Sequence, residues 1–329
     1  TKTAINTAAI SMLGGFVTPE QCRKPEIVSD AAYVILSKSS KECTGNFFID
    51  EYVLKEEGVK DFDKYLSQIV PDLSSLSAGL SMAFADLWGI QNNQSARELY
   101  DISSKNIWPT SFTISMGAQE QLSKKIEEAR DYKILKIKLG SQNDRDIIER
   151  IRVETDKPIR VDANGGWSLE EARSMCRWLA DRNVELVEQP LRVEQLHLMS
   201  ELKQESPVAL IADENCISSK DIPKLVDSFD GINIKLMKCG GLSEAAKMIK
   251  CAHEHGLKVM LGCMVESSVG VTTMSQFASQ ADFLDLDGNL LINNDPYDGV
   301  KIESGTPVLP NKKGLGLTLN SIGKGAGLL

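Results

Sequence analysis

A chain of 329 residues, 42% of them apolar and 25% charged, is long enough to bury a sizeable core in one large or two medium domains. Its formal net charge of -9 leaves no basic surplus to meet phosphates, which excludes nucleic acid and anionic membrane surfaces as partners. No apolar run approaches the roughly 18 residues of a membrane span, and seven scattered cysteines without a CxxC pair form neither a zinc nor a disulfide framework.

Those cysteines suit a reducing compartment. The first twenty residues show no charged segment followed by an apolar one, so a cytoplasmic protein is the default expectation. The first hundred residues read as a mixture: Gly14-Gly15, a helical stretch around Ala31 to Ser37, the strand-like NFFIDEYVL, and a helix of mixed charge. No strand–GxGxxG–helix unit occurs anywhere. A loop over Asp72 to Ser77 marks the expected boundary, with residues 1–75 as one region and 76–109 as the helix LSAGLSMAFADLWGI and a linker.

From Thr110 onward a short β-rich run ending in polar residues alternates with an amphipathic helical stretch. The runs are SFTISMG, ILKIKLG, IRVDANGGW, VELVEQP, VALIADEN, INIKLMKCGG, KVMLGCMVE and DFLDLDGN. Between them lie QEQLSKKIEEAR, SLEEARSMCRWLADR and SEAAKMIKCAHEHG, with Ser168 and Ser243 as expected N-caps and Gly256 as a helix stop. Strands alternating with helices imply a parallel sheet. Eight of them in about 180 residues predict a closed (β/α)8 TIM-like barrel over residues 110–295, with an open doubly wound sheet as the alternative.

In such a barrel the C-terminal strand ends share one mouth. The polar residues there are Lys136 and Lys138, Asp162 and Asn164, Glu188, Asp213, Lys235, Glu266, Asp285 and Asp287. From Lys138 through Asp162, Glu188 and Asp213 to Lys235 the steps are 22 to 26 residues, one βα unit each. The strand period of two makes Lys136 and Lys138 face alike, and likewise Asp285 and Asp287. Three carboxylates on neighbouring strands repel unless a hard cation joins them, and oxygen-only ligands favour Mg²⁺. Lysines on strands two and six lie on opposite sides, where nearby cations and burial lower a lysine pKa enough to make it a base. Metal, opposed lysines and a carboxylate substrate suggest a 1,1-proton transfer. Glu214 and Lys238 have the other parity; Glu214 is expected behind the site or at a helix start, and Lys238 at the surface or behind the site. His253 and His255 read as a solvated helix end, and Trp167 and Trp178 as packing between helix and barrel.

The motifs KIK, DANGGW, VEQP, ADE, NIKLMKCGG and DLDG resemble, over roughly residues 76–329, the muconate-lactonizing subgroup of the enolase superfamily. An Asp-x-Asp pair after the eighth strand, here Asp285 and Asp287, is similar to that of the dipeptide epimerases, where it holds the substrate's free α-amine. The resemblance implies an Mg²⁺-dependent isomerase in which Lys138 and Lys235 are the acid/base pair and Lys136 neutralises the substrate carboxylate. It implies Asp162, Glu188 and Asp213 as metal ligands, and Thr113 and Cys263 as residues lining a dipeptide substrate. N-acylamino acid racemase, o-succinylbenzoate synthase and muconate cycloisomerase are the alternatives within the subgroup. The Asp-x-Asp pair argues against them, since their substrates carry no ammonium to hold.

Family members carry an N-terminal capping domain, of which this chain keeps a helix resembling one of its own and a C-terminal return over residues 296–329 that contains GVKIESGTPVLP. Residues 1 to about 65 instead resemble the C-terminal end of a hydroxysteroid dehydrogenase-like short-chain dehydrogenase, through TKTAINTAAISMLGG, QCRKPEIVSDAAYVIL and TGNFFIDEYVLKEEG. The nucleotide-binding glycines and the YxxxK pair of that fold are absent, so dehydrogenase activity is not expected. The chain looks like a fusion of two fragments. A barrel that binds metal but turns nothing over is the competing non-catalytic reading. Assembly into a homo-oligomer is allowed but unspecified.

Overall fold

The computed structural model describes residues 73–102, 106–114 and 122–325. The helix, strand and dehydrogenase-like segment expected over residues 1 to about 65 lie outside the described residues. From Ser74 the chain forms one unit. Helix α1 (Ser74–Asn92) begins inside the stretch expected to be a loop. Its first residue explains the start: Ser74 donates its hydroxyl to the carbonyl of Met237, 2.7 Å away, so this turn is anchored on the barrel.

Eight parallel strands follow: β1 (Ser111–Ile114), β2 (Ile134–Lys138), β3 (Ile159–Asp162), β4 (Val184–Glu188), β5 (Ala209–Ala212), β6 (Gly231–Ile234), β7 (Lys258–Gly262) and β8 (Phe283–Asp285). They pair in sequence order, and a parallel bridge from Thr110 to Leu284 joins the two ends of the sheet. The Thr110 hydroxyl also accepts the Leu286 N–H at 2.7 Å. The barrel, rather than the open sheet, is what the chain forms.

Both faces of each strand are buried, which is why these runs are nearly continuous in apolar residues. Val161, Val187, Leu210, Ile232, Val259 and Leu261 point outward into the large core beneath the helices. Leu186, Ile211 and Met260, with Phe283 packed against them, fill the barrel interior as a separate cluster. Arg160 plugs the same interior, donating to the Leu284 carbonyl at 2.7 Å and lying over the Phe283 ring.

The helices are α2 (Leu122–Glu128), α3 (Asp144–Glu154), α4 (Leu169–Ala180), α5 (Leu196–Glu205), the single turn α6 (Leu236–Cys239), α7 (Leu242–Glu254) and α8 (Ser268–Ser275). Between β5 and β6 only a 3-10 turn (Ile222–Lys224) occurs, with Pro223 in it. Ser168 caps α4 as expected, in a reciprocal box with Glu171. Ser243 does not cap α7. That helix starts two residues earlier than such a cap would set, at Leu242 after Gly241, where Ser81 of α1 accepts the Leu242 N–H at 3.1 Å and supplies the cap from outside. Gly256, at φ 69°, follows the end of α7, and His253 and His255 are exposed there. Trp167 is buried and Trp178 half-buried, both packed against the core as expected, and Trp178 also lies 3.7 Å beneath the Arg182 guanidinium.

Beyond β8, short strands β9 (Tyr297–Asp298), β10 (Lys301–Glu303), β11 (Thr306–Val308) and β12 (Thr318–Leu319) lead to α9 (Ser321–Gly325). Leu315 donates its N–H to Asp86 at 2.7 Å, so this return segment is tied to α1. Among the described residues no helix is long and apolar enough to cross a membrane.

Asp144, at the start of α3, ties two βα loops together. Its carboxylate accepts from the N–H groups of Gly140 and Ser141 at 2.9 Å and from Trp167 Nε1 at 2.7 Å. Replacing it by Ala takes the acceptor from the buried Trp167 indole and from the part-buried N–H groups of Gly140 and Ser141, so Asp144→Ala costs about 1–3 kcal/mol of stability. Urea denaturation measures it; a loss below about 0.5 kcal/mol would contradict this account.

Candidate active site

Along the inward face of several strands the side chains change from apolar to charged at the C-terminal end. On β4 Leu186 gives way to Glu188, on β5 Ile211 to Asp213, and on β8 Phe283 to Asp285. The register sets Lys138 beside Asp162, and Asp162 beside Glu188, at one level of the barrel. The period-two reading of Lys136 and Lys138 therefore holds: both ammonium groups reach Asp162 Oδ2, at 3.1 and 2.7 Å.

Lys136 is buried at the centre of the charges, with Nζ 2.7 Å from Glu188 Oε2 and 2.8 Å from Asp285 Oδ2. Lys138 is more open, with its second contact to Asn164 Oδ1 at 3.2 Å. Across the ring, Lys235 stands just past β6 and donates to Asp213 Oδ2 at 2.7 Å. Strands β2 and β6 face one another in a ring of eight, so Lys138 and Lys235 approach the mouth from opposite sides. Lys238 is not at the surface: its ammonium is buried behind Asp213 and bonded to it.

The charges divide unevenly. Burial opposes the ionised form of Asp162 and Asp213, but adjacent lysines outweigh it and hold both below the usual carboxylate range. Glu188 is different: burial and the charges of Asp162 and Asp213 push it up to about 7 despite Lys136 and Lys235. At Lys235 the lowering expected of a basic lysine is not what this arrangement produces. Burial pulls Lys136 and Lys235 down, yet the surrounding carboxylates prevail and raise both above an ordinary lysine.

Asp285 accepts from Lys136 and from the Ser111 hydroxyl at 2.7 Å, and these partners hold it low against burial. Asp287 lies beyond the strand end, where it accepts from the Thr113 N–H at 2.5 Å and its hydroxyl at 3.2 Å. Burial, then the neighbouring Asp285, raises Asp287 to about 6. Cys263 sits against the same corner, its thiol 3.2 Å from the Asp285 carbonyl and accepting the Gly288 N–H at 3.2 Å. Glu266 adds a further carboxylate, raised to about 7 by burial, with one oxygen on the Met264 N–H and Oε2 receiving no hydrogen bond.

Two supporting residues escaped the sequence reading. Asn233 on β6 donates to Glu188 Oε1 at 2.7 Å, and its side chain fills the space a Cβ at Gly262 would need. Its position two residues before Lys235 was the available signal, since both must face inward. Gln189, held at φ 40°, accepts the Asp213 N–H at 3.0 Å and donates to the Leu191 carbonyl at 2.8 Å. Nothing in the VEQP motif by itself reveals that contact.

Asp162, Glu188 and Asp213 fit a hard divalent cation by donor chemistry: three buried oxygen donors from consecutive strands, with Glu188 Oε2 facing the Lys136 ammonium at 2.7 Å. Among the described residues no three acidic, His or Cys groups are spaced to hold a metal as they stand, and Lys136 occupies the middle of the carboxylates.

A family model described as enolase C-terminal domain-like matches residues 118–322. The L-Ala-D/L-Glu epimerase of Bacteroides thetaiotaomicron is 38% identical over 261 residues, 79% of this chain and 68% of that one. The L-Ala-D/L-amino acid epimerase of a Maribacter species is 38% identical over 285 residues, 82% of this chain and 84% of that one. Among solved structures, a substrate-liganded L-Ala-D/L-Glu epimerase from Bacillus subtilis superposes with a TM-score of 0.71 at 27% identity, covering 88% of this chain and 82% of the other. With the eight-stranded barrel and the charged layer at its mouth, these matches place the chain in a family: it belongs to the enolase superfamily, among the relatives of its amino-acid-derivative epimerases.

Proposed function

We propose that the protein is an Mg²⁺-dependent dipeptide epimerase, an isomerase that inverts the α-carbon next to the dipeptide carboxylate. The observation that carries this reading is the pair of lysines, Lys138 and Lys235, on opposed strands with three buried carboxylates between them. Asp162, Glu188 and Asp213 would hold Mg²⁺, which when bound supplies positive charge beside the substrate carboxylate. Lys136 adds a second positive charge to that end of the site, and Asp285 and Asp287 offer negative charge to the free α-amine. Thr113 and Cys263 line this corner.

One lysine takes the α-proton onto its neutral Nζ, and the C–H electron pair spreads into the carboxylate as an enediolate. The opposed ammonium returns a proton to the other face, so one proton is lost, one gained, and the configuration inverts. Loss of the proton by the first lysine requires that its carboxylate partners be compensated otherwise, which is the part the cation plays in setting its charge. The segment of residues 1–75 is kept in this reading as a dehydrogenase-like fragment outside the chemistry. Residues 76–109 supply a helix and linker, 110–295 the barrel and 296–329 the return; the cytoplasm is the expected location.

The test is proton–deuterium exchange at the α-carbon across a dipeptide library with Mg²⁺. Exchange with inversion of free dipeptides, and little with N-acylated ones, is expected. Equal turnover of N-acylated substrates would move the reading to an acylamino acid racemase.

Asp287 makes this pH-dependent. Held at about 6, it is neutral below that pH and ionised above it, and only the ionised form attracts an ammonium. KM for a dipeptide should therefore fall as pH rises through about 6, and Asp287→Asn should flatten that limb. A limb that persists in Asp287→Asn would assign it to another group.

A further inference from the structure

Lys238 lies three residues after Lys235, in the single turn α6 that Gly240 closes at φ 91°. In a strand its parity would turn it away from Asp213; the helical turn brings it back behind that residue. Its side chain is 9% exposed. The ammonium donates to the carbonyls of Asp213 at 2.7 Å, Asn233 at 3.0 Å and Cys216 at 3.2 Å, and also to Asp213 Oδ1. Four acceptors exhaust its three N–H groups, so it has none left for a substrate.

We infer that Lys238 is a positioning residue, one that orients Asp213 for a divalent cation. This rests on the reading of Asp162, Glu188 and Asp213 as the residues that hold the cation. By bonding both the carbonyl and one carboxylate oxygen of Asp213, Lys238 fixes the side-chain torsion and leaves only Oδ2 turned into the barrel, where Lys235 meets it at 2.7 Å. Gln189 pins the Asp213 N–H from the other side. The Asn233 carbonyl that Lys238 grips belongs to the residue whose amide holds Glu188 Oε1. A single ammonium thus sets two of the three carboxylates.

Charge and orientation predict opposite outcomes. Were Lys238 only a neighbouring positive charge, its removal would tighten cation binding by relieving repulsion. An orienting role predicts the reverse: Lys238→Met in the full chain weakens Mn²⁺ at least tenfold by isothermal titration calorimetry and alters the Mn²⁺ electron paramagnetic resonance signal. Lys238→Arg keeps the charge, but a planar guanidinium cannot reproduce the tetrahedral set of bonds, so it too binds Mn²⁺ more weakly. If Lys238→Met does not fold, Lys238→Arg carries the test. Affinity equal to or tighter than wild type in a folded variant overturns the inference while leaving the cation site intact. Failure of the wild-type protein to bind Mn²⁺ sinks the cation reading itself, and this inference with it.

Discussion

Replacing Lys138 or Lys235 by Ala abolishes net epimerisation, with a loss of about 10³-fold or more in kcat, roughly 4 kcal/mol of barrel-imposed proton-transfer catalysis. The two variants fail differently. Each retains the lysine that serves one stereoisomer, so α-proton exchange into deuterated water survives for a single isomer, and that isomer differs between the variants. Their placement on β2 and β6 is the reason: neither ammonium can reach the face served by the other. Racemic product from either variant at a rate within tenfold of wild type would defeat the two-lysine mechanism. An active Lys235→Ala beside an inactive Lys238→Ala, with Mn²⁺ binding unchanged, would give the role to Lys238, whose ammonium has no bond to spare.

Removing the cation has an effect of similar size. Chelation by EDTA abolishes turnover, and Mg²⁺ added back at a hundredfold excess over its Kd raises stability by about 2.7 kcal/mol. Glu188→Gln weakens both responses severely, because a neutral amide oxygen does not supply the negative charge that a divalent cation takes. Glu188 is the sharpest choice among the three, being wholly buried on the middle strand of the three. The measurements are initial rates and a thermal melt with and without Mg²⁺. Full activity in EDTA, or an Mg²⁺-dependent melting shift that persists undiminished in Glu188→Gln, would remove the metal from these residues.

Much of this arrangement is legible in the residues before any coordinates. The apolar runs end in Lys138, Asp162, Glu188, Asp213 and Lys235 at steps of one βα unit, and only a closed barrel brings such a series to one mouth. Strand parity set Lys136 beside Lys138, and the inward face did carry both to Asp162. Capping at Ser168 and the stop at Gly256 are local chemistry, settled within a few residues of chain.

Where strands end, parity loses its force. Asp287 lies past β8 and bonds Thr113, and Lys238 sits in a helical turn that reverses its expected direction. Ser243 was displaced as a cap by Ser81, a residue 162 positions earlier that no local pattern connects to it. The sign of the lysine shifts also required the assembled site. Burial lowers a lysine pKa and carboxylates raise it, and only the distances from Lys136 to Glu188 and Asp285 show the carboxylates prevailing. The sequence by itself determined the barrel, the order of its charged strand ends and the chemistry they suit, because those follow from periodicity and residue type. Only the tertiary structure decided which charges meet and which lysine is fully bonded, because those depend on contacts between residues far apart in the chain.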